Sequence, residues 1–281
     1  MKKLMLPLAL AFICLHVCAQ QTDLDTILPR FLSDRGEGIP TSMFGTYIRK
    51  REIIIYPFYE YYYDRNYEYK PQEMGYGKDV DYRGKYTANE GVIFIGYGIT
   101  DRLAVEFEAS IISAELVKNK QDDSNMPEEI AESGLGDVEG QLRYVWKKET
   151  ARKPEIFSFF EYVLPLQKDK KIIGTSDWEF KLGIGFIKGY SWGTLTVRTA
   201  VEYDGEESKV DFGEYAIEYL KRVSGLFRFA VIIEGSQDEL ELITDMQFHV
   251  SDHAFIRINN AFGITSKATD YAPELGVVFH F

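Results

Sequence analysis

The stretch 271-YAPELGVVFHF-281 decides how the rest of the chain is read. Leu275, Val277, Phe279 and Phe281 fall on one face, and Glu274, Gly276, Val278 and His280 on the other. Strict alternation of this kind is the pattern of a strand with two differently solvated faces. A strand that stops on a Phe with no polar tail suits an end placed at a membrane interface, where aromatic rings settle. The working expectation is therefore the closing strand of a membrane β-barrel, with Phe279 and Phe281 as the membrane-insertion signal.

Bulk properties agree. Across 281 residues, 44 Asp and Glu against 32 Lys and Arg give a formal charge of −12. That balance excludes a nucleic-acid partner, since phosphate binding needs a basic surface. Aromatic residues make up 15% of the chain, with 19 Tyr and 19 Phe, as aromatic girdles require. A mean hydropathy of −0.22 fits a barrel that exposes only every second residue to lipid.

The first residues read as a processing segment. Lys2 and Lys3 precede an apolar run from Leu4 to Val17, and Val17-Cys18-Ala19 supplies a small-residue cleavage site, so residues 1–19 are expected to be a cleaved signal peptide. Lipidation at Cys18 is the weaker alternative, given His16 and Val17 beside it. Cleavage removes both cysteines, Cys14 and Cys18, and the loss of Lys2 and Lys3 takes the charge from −12 to −14. Beyond residue 19 no run approaches the ~20 apolar residues of a spanning helix. Membrane insertion is then open only to a barrel.

Residues 20–50 are poorly periodic, broken by Pro29, Gly36, Gly38 and Pro40, with at most one short helix in 25-DTILPRFL-32. They are either a periplasmic lead or a lumen plug anchored by Phe31, Leu32, Met43 and Phe44. The barrel is assigned to residues 51–281. Its strands read as Arg51–Tyr63 (bent or bulged at Pro57), Gly91–Ile99, Leu103–Ala114, Asp137–Trp146, Phe157–Gln167 and Trp178–Ile187. They continue as Thr194–Tyr203, Phe212–Lys221, Leu226–Glu234, Glu239–His249, Phe255–Gly263 and Ala272–Phe281. Roughly twelve strands of about ten residues match a tilted membrane strand. Residues 64–89 and 115–135 read as long loops. Tight turns alternate with longer connections, as in an all-β, up-and-down antiparallel barrel with both termini in the periplasm. A soluble sandwich would share the period-two pattern but not the strand lengths, loop alternation or terminal Phe. Trp146, Tyr190, Trp192 and Phe281 should mark one interface, and Trp178, Tyr203 and Tyr271 the other.

Parity places a charged set inside: Glu106, Glu108, Asp137, Glu139, Arg143, Glu179, Lys181, Arg198, Glu202, Arg228, Glu241, Asp245 and Arg257 are the lumen-lining candidates. Glu161, Glu214, Glu218, Glu234 and Glu274 share that parity. Carboxylate rings favour cations, so one reading is a narrow, cation-preferring conduit and the other a salt-bridged, closed lumen. Barrels of ~8 strands fill with side chains and those of ~16 leave a channel, so about twelve lies between. The tyrosine run Tyr56, Tyr59, Tyr61, Tyr62, Tyr63, Tyr67 and Tyr69 reads as an outer girdle entering a rigid loop, or as a stacking platform for an aromatic or sugar ligand.

Nothing points to an enzyme. After cleavage only His249, His253 and His280 remain, all near periplasmic ends, away from where a lipase Ser–His pair would sit. No metal-spaced His/Cys cluster exists, and no cofactor is expected. Paired carboxylates capable of glycoside chemistry are ordinary in a polar lumen.

Gly134-Leu135-Gly136-Asp137, opening a strand after a long polar stretch, resembles the outer-membrane family named for the meta-pathway of phenol degradation. Val163-Leu164-Pro165, Gly183-Ile184-Gly185 and the segment Asn259–Thr265 ahead of an aromatic-ended strand match further, over residues 85–281. The resemblance implies a monomeric barrel in outer-membrane lipid, inserted by the barrel assembly machinery, and a passive channel for small, possibly hydrophobic or aromatic, solutes. The competing expectation is a non-transporting structural or surface-interaction barrel acting through its extracellular loops. Deleting Phe281 should lower membrane insertion, measured as folded protein recovered in the outer membrane, far more than changing Glu274 does. Equal effects would contradict a closing-strand signal.

Overall fold

The computed structural model describes residues 28–205, 209–236 and 238–281. The expected signal peptide and its cleavage site lie outside them. Two short strands, β1 (Ile39–Pro40) and β2 (Tyr47–Ile48), pair as a small ribbon. Twelve further strands follow: β3 (Ile53–Tyr69), β4 (Tyr82–Gly98), β5 (Leu103–Val117), β6 (Glu129–Lys147), β7 (Glu155–Val163) and β8 (Glu179–Gly189). The set is completed by β9 (Thr194–Asp204), β10 (Lys209–Arg222), β11 (Phe227–Ser236), β12 (Glu239–Ser251), β13 (Ala254–Gly263) and β14 (Tyr271–His280). Every neighbour pair is antiparallel, and the sheet closes into a barrel. Among the described residues no helix is long and apolar enough to cross a membrane; of the short helix expected in 25–32, residues 25–27 lie outside the described residues and Arg30–Leu32 form a 3-10 turn.

Closure is made by β14 against β3, with Tyr271 opposite Tyr63, Glu274 opposite Glu60 and His280 opposite Ile54. Phe281 and Ile53 exchange both backbone hydrogen bonds, at 2.9 and 3.0 Å. No bulge occurs at Pro57. Pro57 keeps register with β4, and the ladder to β14 lapses beside it and resumes at Ile55 without a shift. A proline has no N–H to donate, so a seam can pass it only by skipping a rung.

Alternation sorts the side chains. Leu182, Ile184, Phe186, Ile217, Ile233, Leu275 and their row neighbours are exposed on the outside, where only lipid can accept so much contiguous apolar surface. Trp146, Tyr190, Trp192 and Phe281 are exposed at the end of the tight turns, and Trp178, Tyr203 and Tyr271 at the opposite, loop end. Inside, Gly183 and Gly185 lie beneath the rings of Phe159 and Phe157. A Cβ at Gly183 would come within 2.1 Å of the Phe159 ring.

About half of each of two expected loops is strand. β3 continues past Tyr63 through a bulge between Asp64 and Tyr67, and β4 begins at Tyr82, leaving residues 70–81 as the connection. Likewise residues 118–128, not 115–135, join β5 to β6. Beyond the lipid the outward face is polar, so the strong apolar alternation that marks a membrane strand disappears. The tyrosine run accordingly divides. Tyr59 is half exposed on the outer face, while Tyr56 is buried inside and Tyr69 packs with Met74, Ala88, Leu116, Met126 and Ile172 in a second core at the loop end. Length alternation holds only on one side of the barrel. At the loop end, residues 70–81, 118–128 and 164–178 are long, but residues 205–208 and 237–238 are as short as turns.

Candidate functional site

The interior has two tiers, and the lower one is filled. Residues 34–48 run from the turn end into the barrel, reverse at 41–46, where Thr41 N donates to Thr46 O at 3.0 Å, and return through β2. Ile39, Met43, Tyr47 and Ile48 are buried against Ile54, Tyr56, Phe94, Phe157, Phe159, Leu220, Ile232 and Phe255 of the barrel wall. Each such side chain contributes about 1.5–3 kcal/mol through burial, so the hairpin is retained mainly by an apolar core.

Charged groups set its register. The Arg35 guanidinium lies 3.3 Å from Glu149 and 3.0 Å from Glu155, all three buried. Asp34 accepts from Arg222 N at 3.0 Å and pairs with Lys221 at 3.1 Å. Ser42 N and Oγ donate to Glu106 at 3.0 and 2.6 Å, and Gly45 N donates to Glu218 at 3.2 Å. Arg143 donates to Pro40 O at 3.3 Å, pairs with Glu106 at 3.3 Å and covers the Phe159 ring at 5.1 Å. Arg198 stacks on Phe44 at 4.1 Å and reaches Glu214 and Glu234. Arg228 donates to Arg35 O at 3.5 Å and to His249 Nε2 at 2.8 Å. Arg257 pairs with Asp245 at 2.9 Å, and Glu274 accepts from the Tyr56 hydroxyl. Buried pairs of this kind add little net stability, yet breaking one leaves a charge without its partner.

The upper tier is carboxylate-rich. Glu108 faces Glu139 across β5 and β6, Glu60 faces both Glu90 and Glu274, and Glu234 faces Glu241. Glu179 faces Asp204, and Glu202 faces Lys181 across β8 and β9. Lys181 is the ammonium set among them, 3.1 Å from Glu161 and 3.6 Å from Glu214. Asp137 accepts from Thr175 N at 2.7 Å. The thirteen candidate residues thus fall into two functions of place. Glu106, Arg143, Arg198, Arg228, Asp245 and Arg257 grip or flank the hairpin. Glu108, Asp137, Glu139, Glu179, Lys181, Glu202 and Glu241 stand above it.

Sequence reasoning missed Asp34, Arg35, Glu149 and Glu155, whose partners are distant in the chain and carry no shared period. It also missed Glu60 and Glu90. Glu60 shares the inward parity of Ile54 and Tyr56, which was a usable signal. Among the described residues no group of His, Cys, Asp and Glu is arranged to hold a metal ion.

Where the hairpin leaves the barrel, Arg51 adopts a φ of 64° and Glu52 latches the turn. Glu52 accepts from Arg49 N at 2.6 Å, from Arg49 Nη2 at 3.0 Å, and contacts His280 Nδ1 at 3.1 Å. Burial alone would push the Glu52 carboxyl up, but hydrogen bonds from His280 and Arg49 prevail and hold it at about 2.

No family model matches the chain, and no curated sequence matches it. Solved structures do. An outer-membrane channel from Pseudomonas putida F1 aligns with a TM-score of 0.60 at 14% identity, over 83% of this chain and 97% of that one. The translocator domain of the autotransporter NalP from Neisseria meningitidis aligns at 0.53 and 9%, over 83% and 90%. The KdgM porin, solved with disordered oligogalacturonate, aligns at 0.52 and 8%, over 82% and 99%. At these identities the likeness is one of fold.

Arg35→Ala should weaken hairpin seating by about 3–5 kcal/mol, because it leaves Glu149 and Glu155 buried without their partner. Faster tryptic cleavage within residues 28–50 checks this, and unchanged cleavage would contradict it. The Glu52 latch has a lowered folded-state pKa. Its stabilisation is therefore fully present above the ordinary carboxylate value and is lost as pH falls towards about 2. Cleavage at 49–52 should accelerate below pH 4 in the parent chain, and in Glu52→Gln should already be fast at neutral pH; the same pH profile in both would remove the latch.

Proposed function

We propose that this chain is a transmembrane barrel of an outer membrane that passes small solutes passively, with residues 34–48 as a resident plug. The observation that carries the reading is the contrast between the tiers. The lower half of the lumen is packed like a protein core by a hairpin that is not part of the barrel wall. The upper half is lined around most of its circumference by carboxylates facing one another. A barrel with only a structural task gains nothing from setting Glu108 against Glu139, since like charges directly opposite destabilise a sheet. Such rows are useful where water and cations occupy the space between.

The turn end, which holds Phe281 and the hairpin's two crossings, faces the periplasm in this reading, and the connections 70–81, 118–128 and 164–178 lie outside. Likeness of fold to an outer-membrane channel and to a porin supports this class. Outer-membrane lipid meets the apolar belt, and Phe279 and Phe281 serve the assembly machinery as the insertion signal. The chain acts as a monomer in this reading, and closure leaves no sheet edge through which copies could pair. Passage needs the hairpin to move or be moved. A hydrophobic or aromatic solute finds less support than a polar or cationic one, because the accessible tier is acidic.

In planar bilayers the full chain should show rare, small conductance steps, and a form lacking residues 34–48 should show frequent, larger steps with cation preference. Silence from both, with the barrel folded by heat-modifiable migration, would overturn the channel reading in favour of a structural or surface-interaction barrel.

A further inference from the structure

The Gly134–Asp137 segment has a structural task that strand geometry alone does not require. Opposite it, β5 advances from Ala109 to Ile111 while β6 advances from Val138 to Leu135, so Gly136 and Asp137 together face the single residue Ser110. This is a β-bulge, and bulges re-aim side chains. Gly136 tolerates the crowding because it has no Cβ; one built there would lie 2.1 Å from Ser110 Oγ. Asp137 is turned towards the connection 164–178 and accepts from Thr175 N at 2.7 Å. Gly136 O lies 3.4 Å from Gln167 Nε2. Glu132, just ahead of the bulge, accepts from Lys171 N at 2.9 Å and from Ile172 N at 3.1 Å. The longest connection of the barrel is thereby pinned at both shoulders to the inner face of β6, with Ile172 and Ile173 buried in the second core. A loop held in this way lies across the mouth instead of extending into solvent.

A cavity of about 260 Å³ remains beside the pinned loop, between it and the 70–81 connection. Tyr67, Glu179 and Asp204 line it, along with Lys70, Lys170 and Lys171. Glu68, Glu73 and Asp177 bring the acids of the wall to five against these three lysines, each of which has a partner of its own. Lys70 pairs with Glu73 at 3.1 Å, Lys170 donates to Ser133 O at 2.9 Å, and Lys171 donates to the Tyr76 hydroxyl at 3.0 Å while lying over that ring at 4.1 Å. Glu179 and Asp204 are direct cross-strand neighbours on the inward face, and the next inward pair below them is Lys181 with Glu202. Tyr67 adds an aromatic face, stacked on Tyr86 with ring centroids 4.6 Å apart. Carboxylates beside an aromatic ring suit an ammonium group through charge and cation–π attraction.

We propose that the loop 164–178, pinned by Glu132 and Asp137, is the selectivity constriction of the outer mouth, and that the cavity beside it admits small amine-bearing cations in preference to anions. The inference rests on the channel reading and specifies its solute class. Two paired variants test it in the full chain, with benzylammonium and benzoate as probes of similar shape and opposite charge. Permeability ratios come from reversal potentials in planar bilayers. The parent form should favour benzylammonium. Glu179→Gln with Asp204→Asn should abolish that preference while leaving potassium chloride conductance nearly unchanged. Glu132→Ala with Asp137→Ala should raise conductance by roughly two-fold or more, because the loop is released from the mouth. Heat-modifiable migration verifies that each variant is a folded barrel. Conduction that neither pair alters in size or preference would overturn the constriction and leave the channel reading intact. Silence from every folded form would overturn the channel reading and the constriction with it.

Discussion

The structure depends on one requirement: every backbone N–H and C=O at the depth of the lipid must find a partner within the chain. A membrane offers no water to an open sheet edge, and each orphaned group there costs several kcal/mol. The chain satisfies this by bringing its last strand, Tyr271–His280, beside its first barrel strand, Ile53–Tyr69. The seam is not uniform. Pro57 interrupts it, and the exchange between Phe281 and Ile53 ties it at the turn end. The terminal Phe thus does two things at one position. Its backbone pairs with Ile53 across the seam, and the residue is 68% exposed at the turn-end interface.

Closure creates a second problem, because a twelve-stranded tube has an interior to fill. The two halves solve it differently. At the turn end the inward residues are apolar side chains and arginines with their carboxylate partners, and a hairpin from the same chain completes a core around Tyr56, Phe94, Phe157 and Phe159. Apolar burial supplies most of the retention, and ion pairs such as Arg35 with Glu149 and Glu155 fix which groove the hairpin occupies. At the loop end the inward residues are carboxylates and tyrosines, and folded connections cover part of the mouth. A lumen sealed from one end and acidic at the other is asymmetric along its axis, as a conduit with a resident plug would be.

Much of the barrel was legible from alternation, because a strand in lipid has two faces of opposite solvation and no third option. Strands such as Glu179–Gly189 and Glu239–Ser251 show it over nearly their whole length. Legibility failed where the lipid ends. The upper parts of β3 through β6 face water outside and a small core inside, so Tyr67, Tyr69 and Tyr86 looked like loop residues among charges. The hairpin was less visible still. Its strands have two residues each, its anchors Glu149, Glu155 and Glu218 come from far along the chain, and only the apolar residues Met43 and Phe44 hinted at burial. The charged inward set could be read from parity, but parity does not say which charges bind one another and which face open space.

The central claim is that the hairpin occupies the lumen of the inserted barrel. Thr41, buried at its tip with 4% exposure, reports on this directly. A Thr41→Cys form in intact membranes should resist a membrane-impermeant thiol reagent applied from either side, and should react once the barrel is unfolded. Labelling of the folded barrel as fast as that of an exposed cysteine would contradict the account.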